Sequence, residues 1–302
     1  MTRLIAVDWG TSSLRAALLD ERGQVLEETT SARGILTVAP GDFAPVLVAA
    51  CAQWMSAGAT FFILSGMVGS RQGWQEATYC PCPAGFADVA ARLAWVAPGP
   101  GLPKVAIVPG LSHEHEGVPD VMRGEETQVF GALALLGLDQ GVFVLPGTHS
   151  KWVRVAQRRI ENFSTFMTGE FYALLRQHSI LARTLPETDG PLDEPAFLRG
   201  VTHARQSANL LHCAFSVRTL SLFDRLPAQA LPSYLSGLVI GEELRSQQLD
   251  AANGPVVVIG SDALTQRYEI ALKSFGVPAR CVGSQATWRG LWAIAQTLEG
   301  MR

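Results

Sequence analysis

The sequence predicts an α/β protein of two similar halves, each a mixed sheet flanked by helices. Three observations carry that prediction. The apolar run at 4–7 ends in Asp8 and a Gly10-Thr11-Ser12 turn, after which 14–19 resumes as a second strand. The run at 141–145 repeats the plan, closing in Pro146-Gly147-Thr148-His149-Ser150 before another strand. Near the C-terminal end, 256–259 is an apolar strand that runs through Gly260-Ser261-Asp262 into a helix. Strands alternating with helical stretches are the pattern of a sheet covered by helices.

The remaining elements follow in order. Gly23-Gln24 turns the chain into a third strand at 25–30. Over 44–57, Val46, Leu47, Ala50, Cys51 and Trp54 fall at helical spacing, and Gly58 stands where a helix ends. A strand at 60–64 leads into Ser65-Gly66-Met67-Val68-Gly69-Ser70-Arg71. Open α/β sheets place ligands at the C-terminal ends of their strands, so this loop reads either as a site or as a plain turn, and its glycines do not decide between them. Residues 81–103 are rich in Pro and Gly and hold a short helix at 86–93; a strand follows at 104–108. His113-Glu114-His115-Glu116 reads as a solvated loop, because alternating residues on a loop do not fix a tetrahedral metal site.

Beyond Gly124, Val129, Phe130, Leu133 and Leu136 recur at helical spacing. Glu125 and Glu126 then lie in the first helical turn, where the dipole favours acids. A carboxylate there can also face a substrate hydroxyl as general base. Spacing does not separate the two. The strand Arg159–Phe166 comes next, and Met167-Thr168-Gly169-Glu170 opens a helix at 171–181, with Thr168 suited to the N-cap. Helices at 196–212, 217–226 and 232–249 follow a linker at 186–195, and an amphipathic helix at 286–298 carries Trp288, Leu291, Trp292 and Ile294.

The turns have definite chemistry. Gly10 lets backbone N–H groups approach a ligand, and the Thr11 and Ser12 hydroxyls complete a concave anion site. Asp8 beside a phosphate would repel it unless a cation lay between, which points to Mg²⁺, an ion that takes one or two carboxylates plus phosphate oxygens. Arg15 is within reach of the same phosphates. Gly147 and Thr148 repeat the cradle, with His149 and Lys151 as nearby donors or cations. Gly260 and Ser261 sit before a helix N-terminus, a position that favours phosphate.

Composition excludes several classes. The chain has 302 residues, enough for two ordinary domains. Apolar residues make up 48% and charged residues 17%, so extensive disorder is not expected. A net charge of −3 without a basic run argues against nucleic acid and against an anionic membrane surface. No apolar run reaches the length of a membrane span, and Met1-Thr2-Arg3 leads straight into the first strand, so no signal peptide is expected. Five scattered cysteines fit a reduced, cytoplasmic protein. Neither G-x-x-x-x-G-K-[ST] nor a G-x-G-x-x-G after a strand is present, which disfavours P-loop and dinucleotide folds.

The opening D-W-G-T-S turn resembles the first phosphate motif of the actin-like ATPase superfamily. With G-M-V-G-S at 66–70, M-R-G-E-E-T-Q at 122–128, P-G-T-H-S-K-W-V at 146–153 and M-T-G-E at 167–170, the resemblance narrows to the 2-dehydro-3-deoxygalactonokinases and covers most of the chain. It implies a two-lobed actin-like ATPase (ribonuclease H-like) fold with a cleft between lobes at 1–137 and 138–302. The terminal helix is expected on the N-terminal lobe. It implies ATP and Mg²⁺ as cofactors and transfer of the γ-phosphate to the 6-hydroxyl of 2-dehydro-3-deoxy-D-galactonate, in galactonate catabolism. Asp8 would be the main metal carboxylate, since Pro146 replaces the acid usual in the second phosphate motif. Glu125 is the favoured base with Glu126 the near alternative, Lys151 would offset developing charge, and Gly260 and Ser261 would belong to the adenosine motif. Ser65, Gly66, Met67, Thr168 and Glu170 would face the sugar, and Arg71 or Arg123 would clamp its carboxylate. A homodimer is compatible with the terminal helix and the aromatic content. The alternatives are a kinase of the same fold for another sugar acid, such as the gluconate epimer, and a non-catalytic nucleotide-binding protein on this scaffold.

Overall fold

A computed structural model of the chain describes residues 4–59, 61–97, 99, 103–207 and 209–300. In chain order the strands and helices begin β1 (Leu4–Trp9), β2 (Leu14–Leu19), β3 (Val25–Ser31), α1 (Phe43–Ser56), β4 (Phe61–Ser65), β5 (Cys80–Pro81), α2 (Phe86–Ala90), β6 (Ala94–Trp95), β7 (Lys104–Ile107), β8 (Leu111–His115), β9 (Val118–Met122) and α3 (Glu125–Leu136). They continue with β10 (Gly141–Leu145), β11 (Ser150–Ala156), β12 (Arg159–Phe166), α4 (Thr168–His178), α5 (Glu194–Gln206), α6 (Leu210–Cys213) and α7 (Ser216–Leu222). The last are α8 (Leu231–Ser246), β13 (Val256–Ile259), α9 (Asp262–Ser274), β14 (Ala279–Val282) and α10 (Gln285–Gly300). The chain divides into two compact units, Met1–Gln140 with Val153–Ser164 and Val282–Arg302, and Gly141–Trp152 with Thr165–Cys281.

The two larger sheets share one plan. The first has the order β3-β2-β1-β4-β7-β6 and the second β12-β11-β10-β13-β14. In each, three consecutive strands are followed by a parallel strand, β4 or β13, that arrives after intervening helix. β1 is antiparallel to β2 and parallel to β4, and β10 is parallel to β13. β1 is buried almost throughout, because helices cover both faces of such a sheet. β3 is mostly exposed, and Glu27 and Glu28 on it suit an edge.

The core of the first unit is built around Trp9, Phe43, Trp54 and Phe62. Trp9 lies edge-on to Phe43 at 5.4 Å and to Trp74 at 6.5 Å, and its indole donates to the Arg33 carbonyl at 2.7 Å. Burying side chains of this size stabilises by about 1.5–3 kcal/mol each. This packing fixes the strand end that carries Asp8. In the second unit one cluster joins Trp152, Phe197 and Tyr268, and another joins Tyr234, Leu235 and Leu238. α5 meets α8 through glycines: a Cβ on Gly237 would lie 2.0 Å from the Phe197 carbonyl oxygen.

Several expectations are corrected. The His113–Glu116 run is no loop. His113 to His115 lie in β8, which pairs with β9 from Leu111↔Met122 to His115↔Val118. Glu116 (φ 51) and Gly117 (φ 79) form a two-residue turn with positive φ at both positions, the geometry that matches hairpin twist. The helix expected over 196–212 stops at Gln206 and resumes at Leu210, with Asn209 capping the second piece. The short helix at 86–93 ends at Ala90. Thr168 is the first residue of α4, not its cap, because its hydroxyl is turned inward to Glu243. Thr60, the start of the strand expected at 60–64, lies outside the described residues; β4 runs from Phe61. The short strands β5, β6 and β14 were not expected; at two, two and four residues they are too short for an apolar alternation to mark them.

Candidate active site

In the first unit the ends of β1 and β4, the following turns and the start of α3 converge. Asp8 is in register with Arg15 on β2 and with Ser65 on β4. Its carboxylate pairs with the Arg15 guanidinium, whose cation also lies 5.8 Å from the Trp288 ring. After Asp8, the Gly10 N–H donates to the Ser13 carbonyl at 2.9 Å. The amides of Ile35 and Leu36 donate to the carbonyls of Gly10 and Thr11 at 3.0 and 3.3 Å. Those carbonyls are therefore satisfied from behind, while Thr11 and Ser12 are exposed. A Cβ on Gly34 would lie 2.3 Å from the Thr11 carbonyl oxygen, so only glycine fits behind the turn.

Gly66 and Gly124 bring the catalytic candidates to Asp8. Gly66 has φ +94, and a Cβ there would lie 2.9 Å from the Trp9 carbonyl oxygen and 3.1 Å from Asp8 Oδ1. Gly124 has φ +108, and its Cβ position is 3.4 Å from Gly66 Cα. Both positions strain any other residue. α3 starts here. The two glutamates then differ. Glu126 has no exposure, and its carboxylate accepts from the Gly124 N–H at 2.7 Å and the Thr127 hydroxyl at 3.1 Å. Thr127 also shares a 3.0 Å hydrogen bond with Ser65. Burial, and then the charge of Glu125, push the Glu126 carboxyl up to about 8. Glu125 is only half-buried, and its Oε2 accepts from the Arg123 N–H at 2.9 Å.

The two candidate arginines also part. Arg71 is exposed and pairs with Glu76 through Nε at 3.1 Å. Arg123 lies 4.5 Å from the Tyr79 ring and donates through Nη2 to the Ala77 carbonyl at 2.8 Å, while its Nε and Nη1 are enclosed. Met67 opens a short 3-10 turn at Met67–Gly69 beside Gly66.

In the second unit the turn 146–149 joins β10 to β11, with Thr148 and His149 exposed. The start of α4 lies against it. A Cβ on Gly169 would be 2.4 Å from the Gly147 carbonyl oxygen, and the Glu170 N–H donates to the Thr148 carbonyl at 3.0 Å. Glu170 also meets His149 Nε2 at 2.6 Å. Lys151 is buried in β11, with its ammonium on the Thr165 hydroxyl at 2.7 Å. Gly260 is beside the same turn, its Cβ position 3.8 Å from the Pro146 carbonyl oxygen. Ser261 caps α9 without a side-chain hydrogen bond. A cavity of about 170 Å³ opens between Gly147, Thr168, Val239, Leu264 and Arg267.

Some of this escaped the sequence. The pairing of Ser65 with Thr127 and the enclosure of Glu243 beneath Thr168 needed three dimensions. Glu243 left a faint signal, one of two adjacent acids, Glu242 and Glu243, between the apolar residues Ile240 and Leu244. Among the described residues no group of three or more His, Cys, Asp and Glu is placed to hold a metal ion, and no helix is long and apolar enough to cross a membrane.

A pair of sheets of the same order, each opening in a strand–turn–strand unit, defines a duplicated α/β fold of the actin-like ATPase type. At the level of fold, the component A of Acidaminococcus fermentans (R)-2-hydroxyglutaryl-CoA dehydratase superposes with a TM-score of 0.53 at 11% identity over 100% of both chains. Within that class the chain belongs to the 2-keto-3-deoxy-galactonokinase family, whose model matches residues 8–294. The 2-dehydro-3-deoxygalactonokinase of Escherichia coli (strain K12) is 34% identical over 298 residues, 98% of each chain. A crystal structure from Sinorhizobium meliloti, assigned the same activity, superposes with a TM-score of 0.89 at 39% identity, covering 98% of this chain and 99% of that one.

Proposed function

We propose that the protein transfers the γ-phosphate of ATP to the 6-hydroxyl of 2-dehydro-3-deoxy-D-galactonate, in galactonate catabolism in the cytoplasm. One observation supports the nucleotide site most directly. At Gly10, Gly147 and Gly260 an added Cβ would meet protein atoms no nearer than 3.7, 3.9 and 3.8 Å, and none of the three has positive φ. Neither packing nor backbone strain demands glycine there. The space is left for a ligand that must approach the main chain, as phosphates do.

Thr11 and Ser12 on one turn and Gly147 and Thr148 on the other bind phosphate oxygens. Val239, Leu264 and Arg267 border the cavity next to Gly260 and Ser261, which takes the nucleoside. Asp8 presents a hard oxygen donor at the strand end, as Mg²⁺ requires, and Arg15 beside it is a fixed cation for the same phosphates. When bound, Mg²⁺ neutralises charge on the phosphates. Glu125 is the base that takes the hydroxyl proton, because Glu126 is fully enclosed and already holds Gly124 and Thr127. Gly66, Met67 and Glu170 face the sugar acid, whereas Ser65, expected there, is enclosed with its hydroxyl on Thr127; Arg71, the accessible guanidinium, meets the sugar carboxylate. His149 and Lys151 carry positive charge or donors beside the transferring group. The transition state is loose, so positioning and charge do most of the work.

Calorimetric titration of Mg·ATP into Gly147→Ala and Gly10→Ala tests the reading. The expected result is unchanged melting temperature with affinity reduced about tenfold or more, the loss of at least one good phosphate contact. Wild-type affinity in both variants would contradict it.

A further inference from the structure

Glu243 is a carboxylate inside the second unit, 2% exposed, on the apolar helix α8. It is hydrogen-bonded from three elements. Trp152 Nε1 on β11 donates at 2.6 Å, the Tyr268 hydroxyl on α9 donates at 2.8 Å, and the Thr168 hydroxyl at the start of α4 donates as well. Ser150, the first residue after the phosphate turn, shares a 3.0 Å hydrogen bond with Tyr268. A carboxylate without a cation partner is a costly thing to bury, and hydrophobic residues of the same volume would hold these helices at less cost. What the carboxylate adds is a common acceptor that fixes three donors in one geometry.

Those donors lead to the turn. Thr168 precedes Gly169, which has no room for a Cβ against the Gly147 carbonyl, and Glu170, whose N–H holds the Thr148 carbonyl. α8 and α9 supply Val239, Leu264 and Arg267 to the cavity beside Gly147. Resting on the reading of that turn as a phosphate site, we propose that Glu243 is a positioning residue for ATP: it fixes the phosphate turn and the start of α4 against the two helices that border the nucleoside cavity.

Steady-state kinetics with separate KM values for ATP and the sugar acid test this, using Glu243→Gln, Thr168→Val and Thr168→Ser. The amide introduced by Glu243→Gln would turn an N–H toward one of the donors. The expected result for Glu243→Gln is an ATP KM raised about tenfold or more, the scale of one lost hydrogen bond to a charged group, with the sugar KM within about twofold. Thr168→Val is nearly isosteric and needs no refolded core; it should raise the ATP KM similarly, and Thr168→Ser, which keeps the hydroxyl, should restore it. An unchanged ATP KM with only a lowered melting temperature would overturn the proposal, as would a Thr168→Val effect confined to the sugar KM. If wild-type protein binds no ATP in a direct titration, the phosphate reading itself fails, and the proposal with it.

Discussion

Glu125 and Glu126 are neighbours in the chain but meet different surroundings. Position in a first helical turn is all that the sequence offers for either, so the choice between them was not legible. Packing separates them: the side chain of Glu126 points into the core and that of Glu125 does not. Glu125→Gln should therefore lower kcat by about 10²–10⁴-fold with the melting temperature nearly unchanged, as measured by ADP release and thermal unfolding. Glu126 predicts a pH effect on stability instead. Its carboxyl is raised from 4.5 in the unfolded chain to about 8 in the fold, so the folded state holds the proton more tightly. Stability from this group is complete below 4.5 and is lost as pH rises toward 8. Chemical denaturation between those limits should show Glu126→Gln with a flatter pH dependence than the wild type; parallel curves would contradict the burial argument. The place of Asp8 at the end of β1, before the Gly-Thr-Ser turn, was legible; its pairing with Arg15 follows from the β1–β2 register. Asp8→Asn should cut turnover by about 10²-fold or more without unfolding the protein.

At the scale of elements, α3 must be held still if Glu125 is to serve as base, and α10 does the holding. The two helices touch backbone to backbone. A Cβ on Gly131 would lie 1.7 Å from the Ala286 carbonyl oxygen, and one on Gly290 would lie 1.9 Å from the Thr127 carbonyl oxygen. Gly290→Ala should destabilise by about 1–3 kcal/mol, since overpacking forces the helices apart, and urea unfolding would measure it. Activity should fall by more than that stability loss implies, because Thr127 and Glu126 sit at the same contact. The sequence marked both helices by their apolar spacing but not their contact, since glycine inside a helix normally signals weakness rather than a partner. The β8–β9 hairpin was missed for a related reason. Its residues His113, Glu114 and His115 are polar on an outlying three-stranded sheet, so no apolar alternation betrays the strand. The inner strands of the two large sheets, β1, β4, β10 and β13, were plain, because covered sheets need continuous apolar runs.

For the whole molecule, the legible part was the repeat. Two strand–turn–strand units in the same order declare a duplicated sheet, and five short motifs in sequence declare the family. Hydroxyl recognition was not legible, because epimers of a sugar acid differ by the placement of one group in space and the chain carries no spacing that encodes it. At this scale the central claim is that turnover needs two substrates together, Mg·ATP and the sugar acid. Coupled ADP release with Mg·ATP, comparing 2-dehydro-3-deoxy-D-galactonate with its gluconate epimer, tests that claim most directly. The expected result is sugar-dependent ADP release with a strong preference for the galactonate form. ATP binding without sugar-dependent ADP release from either epimer would contradict it.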